Sequence, residues 1–136
     1  MLASNLDKKK FSNICLIDTN AKIGSKIKVS GGAKCNITNE LVTCNNYLGD
    51  REFVKELLEK FSKNDLLAFL NKNGVFPKIN PKIVKGTYFC NSSQDVIDMF
   101  TKLTTHVKKY LNTTVIDLEF DKHFKIKTSG KTIEAK

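Results

Sequence analysis

An uninterrupted apolar run, Ile14-Cys15-Leu16-Ile17, ends on Asp18. Apolar residues in sequence without alternation predict a strand covered on both faces, the habit of a parallel sheet. A parallel strand needs neighbours reached by crossover connections, usually helices. An α/β fold is therefore expected, with Cys15 in its core. Residues 1–6 read as the end of a helix, and Lys8-Lys9-Lys10 follow where a helix C-terminus favours positive charge.

Residues 19–49 are rich in Gly, Asn, Ser and Thr and carry no period, which predicts a long loop with one short element at 26–29. Loops of that length usually bind something. Asp50 opens a helix with Phe53, Leu57, Leu58 and Phe61 on one face. Ser62-Lys63-Asn64-Asp65 is a capping pattern for a second helix, with Leu66, Leu67, Phe69 and Leu70 apolar and Asn73-Gly74 as its end. Residues 75–91 hold Pro77 and Pro81 and predict a hairpin or lid, with β-like pieces at Val75-Phe76 and 87–90. Ser92-Ser93-Gln94-Asp95 opens the longest predicted helix, residues 93–111, whose Val96, Phe100, Leu103, Val107 and Tyr110 share a face. Alternation at Ile116, Leu118 and Phe120, then at Phe124 and Ile126, predicts strands. With a turn at Ser129-Gly130 and a third strand through Ile133 and Ala135, they make an antiparallel meander.

Two features carry chemistry. In a dinucleotide-binding βαβ unit the second strand ends in an acidic residue that accepts hydrogen bonds from the ribose. Asp18 fits that place; a loop-capping carboxylate is the other reading of it. The glycine fingerprint of such a unit lies about 20 residues earlier. Counting back from Asp18 reaches Met1, so the chain is expected to be truncated at its start. The second feature is Ser30-Gly31-Gly32-Ala33-Lys34-Cys35-Asn36. Paired glycines let backbone N–H groups approach an anionic or planar ligand, and Lys26 and Lys34 add positive charge. By spacing it is no P-loop, and an ordinary glycine-rich turn has the same composition.

The stretch Leu16-Ile-Asp-Thr-Asn-Ala-Lys-Ile-Gly-Ser-Lys-Ile-Lys-Val-Ser-Gly-Gly-Ala-Lys-Cys-Asn-Ile-Thr-Asn39 resembles the signature of the BaiN-like (YhiN-like) flavoproteins. Those are NAD(P)/FAD-dependent, aminoacetone-oxidase-like enzymes. The likeness extends more loosely through Gly86-Thr-Tyr-Phe-Cys-Asn-Ser92 and the segments after it. Asp18 stands where the family commonly has glutamate, Ser25 where it has arginine, Ala33 where it has a third glycine and Cys90 where it often has proline. The resemblance implies a partial FAD-binding Rossmann-like domain of the glutathione-reductase type, with a helical insertion and an antiparallel β-meander. Residues 1–44 would hold the second strand and flavin loop, 45–92 the helical and hairpin insertion, and 93–136 a helix, the third strand and the meander. It also implies a strand and glycine loop ahead of this chain and a flavin-touching turn and substrate domain after it. By carry-over Asp18 would bind the ribose, and Ser30, Gly31, Gly32, Lys34, Cys35 and Asn36 would line the flavin, with Lys26 nearby. No catalytic acid or base is assigned. The implied activity passes hydride from NAD(P)H through FAD to an unknown substrate, with FAD bound weakly or not at all by this chain alone.

Composition narrows the alternatives. Hydrophobic residues make up 40% and charged residues 27%, as in globular domains. The net charge of +9 raises a second reading, a basic nucleic-acid- or protein-binding module without cofactor. Against nucleic acid as partner, 22 of the 23 basic residues are lysines and only Arg51 offers a bidentate fork. The four cysteines, Cys15, Cys35, Cys44 and Cys90, form no C-x-x-C pair, which speaks against a metal site and a secreted disulfide framework. With no apolar run of membrane-spanning length and no leader pattern, a cytoplasmic location with no membrane partner is expected. The unpaired edge of the Ile14-Ile17 strand is expected to favour self-association.

Overall fold

The computed structural model describes residues 1–7, 9–30, 32, 34–79 and 85–136. Its elements in chain order begin with α1 (Leu2–Asn5), β1 (Cys15–Ile17), α2 (Ser25–Val29), β2 (Asn36–Asn39) and a 3-10 turn at Cys44–Asn46. Next come α3 (Arg51–Lys60), α4 (Lys63–Lys72), β3 (Lys78–Ile79), β4 (Thr87–Phe89) and α5 (Ser93–Leu103). Strands β5 (Lys108–Tyr110), β6 (Val115–Asp121), β7 (His123–Thr128) and β8 (Thr132–Ala135) close the order. The chain divides into two compact units, one of Met1–Ser25 with Phe100–Lys136, the other of Lys26–Met99. Among the described residues no helix is long and apolar enough to cross a membrane.

In the first unit, β1 and β5 pair in parallel, with Leu16 opposite Lys109. The ladder runs on at both ends: Lys108 N–H donates to the Ile14 carbonyl and Asp18 N–H to the Tyr110 carbonyl, each at 3.0 Å. Two expectations are corrected here. The helix predicted to reach residue 111 ends at Leu103, and Lys108–Tyr110 is a strand. Val107 and Tyr110 do continue a helical spacing, but residues 108–110 instead supply the parallel partner of β1. Cys15 is exposed rather than in the core, because the two-stranded sheet leaves that side of β1 uncovered. Strands β6, β7 and β8 form an antiparallel sheet in that order, with Leu118 opposite Ile126 and Ile126 opposite Ile133. The connection between β6 and β7 is the single residue Lys122, at φ 60°.

In the second unit, Asp50 caps α3 by accepting from the N–H groups of Glu52 and Phe53. Phe53, Leu57 and Phe61, the expected inward face of α3, are exposed. Ser62 and Asp65 form the expected capping box of α4, and Asn73 ends it with Gly74 in the left-handed region at φ 83°. The antiparallel sheet runs β2-β4-β3. Strand β2 lies inside the segment expected to be loop, and the strand expected at Val75-Phe76 lies a little further on, at Lys78–Ile79. Ile37 and Thr38 are β-branched and fit the pleat, a signal outweighed by the Asn residues around them. Pro81 lies outside the described residues. Buried apolar residues of this unit include Cys35, Leu70, Val75, Phe89, Cys90 and Val96.

Candidate functional site

Asp18 belongs to the first unit. It follows β1 directly, so the strand sets its position, and its own carbonyl accepts from Thr113 N–H at 3.0 Å. Its carboxylate Oδ1 accepts from both the backbone N–H and the side-chain Nδ2 of Asn20, each at 2.8 Å. The backbone bond first, then the side-chain one, holds its pKa below the usual carboxylate value, so the group is a negative acceptor at neutral pH. Asn20 orients Oδ1, and the second oxygen makes no hydrogen bond among the described residues. Asn20 is a hydrogen-bonding neighbour of Asp18 that spacing alone did not single out. Its sequence signal is an Asx residue two places after a strand-ending Asp.

The glycine-rich segment belongs to the second unit. Lys26 lies in α2 with its side chain exposed. Ser30 N–H donates to the Ile27 carbonyl at 3.2 Å, and Cys35 N–H donates back to the Ser30 carbonyl at 3.1 Å. Those bonds tie Ser30 to the end of α2 on one side and to Cys35 on the other. Gly32 sits at φ 60°, and a Cβ there would meet nothing within 4 Å, so its backbone faces open space. Gly31 and Ala33 lie outside the described residues. Lys34 is exposed, and Asn36, also exposed, begins β2 opposite Phe89. The loop is tied down from across the sheet, where Cys90 N–H donates to the Lys34 carbonyl at 3.0 Å and reaches the Cys35 carbonyl at 3.4 Å. The structure thus brings Ser30, Gly32, Lys34 and Cys35, with Asn36 at the start of β2, into one segment anchored by Cys90 just after β4.

Cys35 has a positive φ of 56°, a conformation uncommon for a residue with a side chain. It is buried, and burial raises its thiol pKa. Cys90 is buried beside it, with a thiol pushed up to about 11 by burial first and then by Cys35 and Asp95. Both are protonated thiols at neutral pH and serve as packing groups rather than nucleophiles.

The end of the signature stretch is scaffold. Asn39 Nδ2 donates to the Lys85 carbonyl at 3.3 Å and to Thr87 Oγ1 at 3.2 Å, while Asn39 Oδ1 accepts from Leu41 N–H at 3.0 Å. Gly86, at φ 73°, lets that clamp close: a Cβ there would sit 3.0 Å from Asn39 Oδ1.

Residues 1–136 match the family described as HI0933-like protein Rossmann domain. A ribosomal RNA dihydrouridine synthase of Escherichia coli K12 is 36% identical over 101 residues, covering 73% of this chain and 24% of that protein. A 3-dehydro-bile acid delta(4,6)-reductase of Clostridium scindens is 32% identical over 68 residues, covering 49% of this chain and 17% of that protein. A ribosomal RNA dihydrouridine synthase of Haemophilus influenzae is 36% identical over 64 residues, covering 46% of this chain and 16% of that protein. The chain spans about a quarter or less of the length of these curated relatives.

Proposed function

The chain belongs to the HI0933-like Rossmann-domain family, and on that premise we propose that it forms part of the FAD-binding domain of a flavin-dependent reductase. In this reading residues 1–44, 45–92 and 93–136 serve as flavin-side segment, insertion, and closing helix, strand and meander. With FAD bound, the whole protein would relay a hydride from NAD(P)H to one carbon of a carbon–carbon double bond, a proton completing the reduction at the other carbon. The names of the relatives support that bond type: a dihydrouridine differs from uridine by two hydrogens across the ring double bond, and a delta(4,6)-reductase acts on a diene. RNA is the favoured substrate, because two of the relatives are named for it and the chain carries +9. This departs from the sequence reading, in which the scarcity of arginine weighs against nucleic acid as partner without removing it.

FAD supplies the hydride chemistry when bound, and the residues of this chain hold and orient it. The observation that carries the reading is Asp18: an ionised carboxylate at the end of a parallel strand, one oxygen fixed by Asn20 and the other free for ribose hydroxyls. The open backbone at Gly32 suits close approach of a planar ring. Ser30, Gly31, Lys34, Cys35 and Asn36 complete that side, and Lys26 adds charge toward the phosphates. Reduced thiols, a cytoplasmic setting and self-association through the free edge of β1 belong to the same proposal.

The test is a titration of the isotope-labelled chain with FAD, read by NMR. Amide signals of residues 18–20 and 30–36 are expected to shift, with weak affinity, and Asp18→Ala is expected to weaken binding about tenfold, the effect of losing a hydrogen bond to a charged group. Shifts confined to other residues, or an unchanged affinity in Asp18→Ala, would overturn it.

A further inference from the structure

Beside the loop, the second unit holds a cleft of about 350 Å³. Its floor is apolar, formed by Val75 and Cys90, 4% and 3% exposed. Its rim carries Phe76, Lys78, Asn91 and Asp95. The chain makes that contrast locally. After Gly74 turns the backbone, Val75 N–H donates to the Leu70 carbonyl at 3.0 Å; Val75 is buried and Phe76 is 61% exposed. Lys78 is held on β3 opposite Phe89, and Asp95 lies in the first turn of α5. The Lys78 ammonium, the Asn91 amide and the Asp95 carboxylate make no hydrogen bond or ion pair among the described residues. Cys90 in the floor is the residue whose N–H holds the Lys34 and Cys35 carbonyls, so the cleft and the proposed flavin-side loop share a wall.

An exposed aromatic face, an amide, a cation and an anion around an apolar floor describe a ligand with a flat ring, an edge of both donors and acceptors, and a negative group nearby. We propose that this cleft receives the uracil base and adjoining phosphate of the RNA substrate, an assignment that rests on the reductase reading above. The ring lies on Phe76. Its N–H donates to Asp95, its carbonyl accepts from Asn91, and the phosphate meets Lys78. A steroid fits less well, since it would bury these polar groups without hydrogen-bond partners. The volume lies near the lower end of the roughly 300–1,000 Å³ usual for ligand sites, as suits one nucleotide.

The experiment titrates the labelled chain separately with uridine 5′-monophosphate, with a steroid carboxylate and with FAD. Uridine monophosphate is expected to shift the amide signals of residues 74–78 and 90–95. Phe76→Ala, at an exposed position, is expected to weaken binding about tenfold, and Lys78→Ala to weaken uridine monophosphate more than uridine. No shift in those residues, a Phe76→Ala chain that binds as tightly as the parent, or tighter binding of the steroid there would overturn the assignment. If FAD shifts residues 30–36 while uridine monophosphate leaves the cleft silent, the cleft assignment falls and the flavin reading stands. The reverse pattern removes the flavin reading and keeps a nucleotide cleft.

Discussion

At the scale of single residues, chemistry follows burial. Cys35 and Cys90 are shielded while Cys15, the one inside an apolar run, is exposed. Alkylation at neutral pH is therefore expected to modify Cys15 first and to leave Cys35 and Cys90 untouched until denaturant is added, as peptide mass spectrometry would read. Early modification of Cys90 would show that the second unit opens locally. The same burial has a pH consequence. The Cys90 thiol ionises near its ordinary 9.0 when unfolded but only at about 11 in the fold. Its contribution to stability is thus complete below 9.0 and is lost as pH rises through that window. Asp18 was legible from its place after an apolar run. Its partner Asn20 and the clamp at Asn39 were not, because each role depends on where the backbone turns.

At the scale of elements, local signals were reliable where they concern one helix. The Ser62–Asp65 box is present in full, with Asp65 N–H donating to Ser62 Oγ at 3.2 Å and Ser62 N–H to the Asp65 carboxylate at 2.8 Å. Ser62→Ala is expected to lower stability by about 1 kcal/mol, measured as a reduced urea midpoint at unchanged slope. An unchanged midpoint would mean that α4 is held by packing alone. Strands were harder. A spacing of four and three residues runs from Val96 to Tyr110, yet α5 stops at Leu103 and Lys108–Tyr110 pairs with β1. Helical periodicity cannot foresee a partner strand some 90 positions earlier in the chain. Strand β2 escaped notice for the same reason, since its partner β4 is remote in sequence.

At the scale of the whole molecule, apolar surface remains uncovered. Ile116, Leu118 and Phe120 on β6 are exposed, and among the described residues β1 has a partner on one edge only. An open edge is a template for pairing. The chain is expected to elute from gel filtration as a concentration-dependent dimer, and Cys15→Lys, which places a charge on that edge, to return it to monomer. A monomer at every concentration would remove the self-association proposal.

The sequence by itself determined the α/β class, the helix caps, the strand-ending Asp18 and the signature loop, because each depends on residues close together in the chain. Only the tertiary structure decided that Cys90 anchors that loop, that Cys35 is buried beside it, and that Val75, Phe76, Asn91 and Asp95 face one cleft. Those outcomes depend on which distant segments share a sheet, and burial and hydrogen bonding across strands are properties no single stretch of sequence carries.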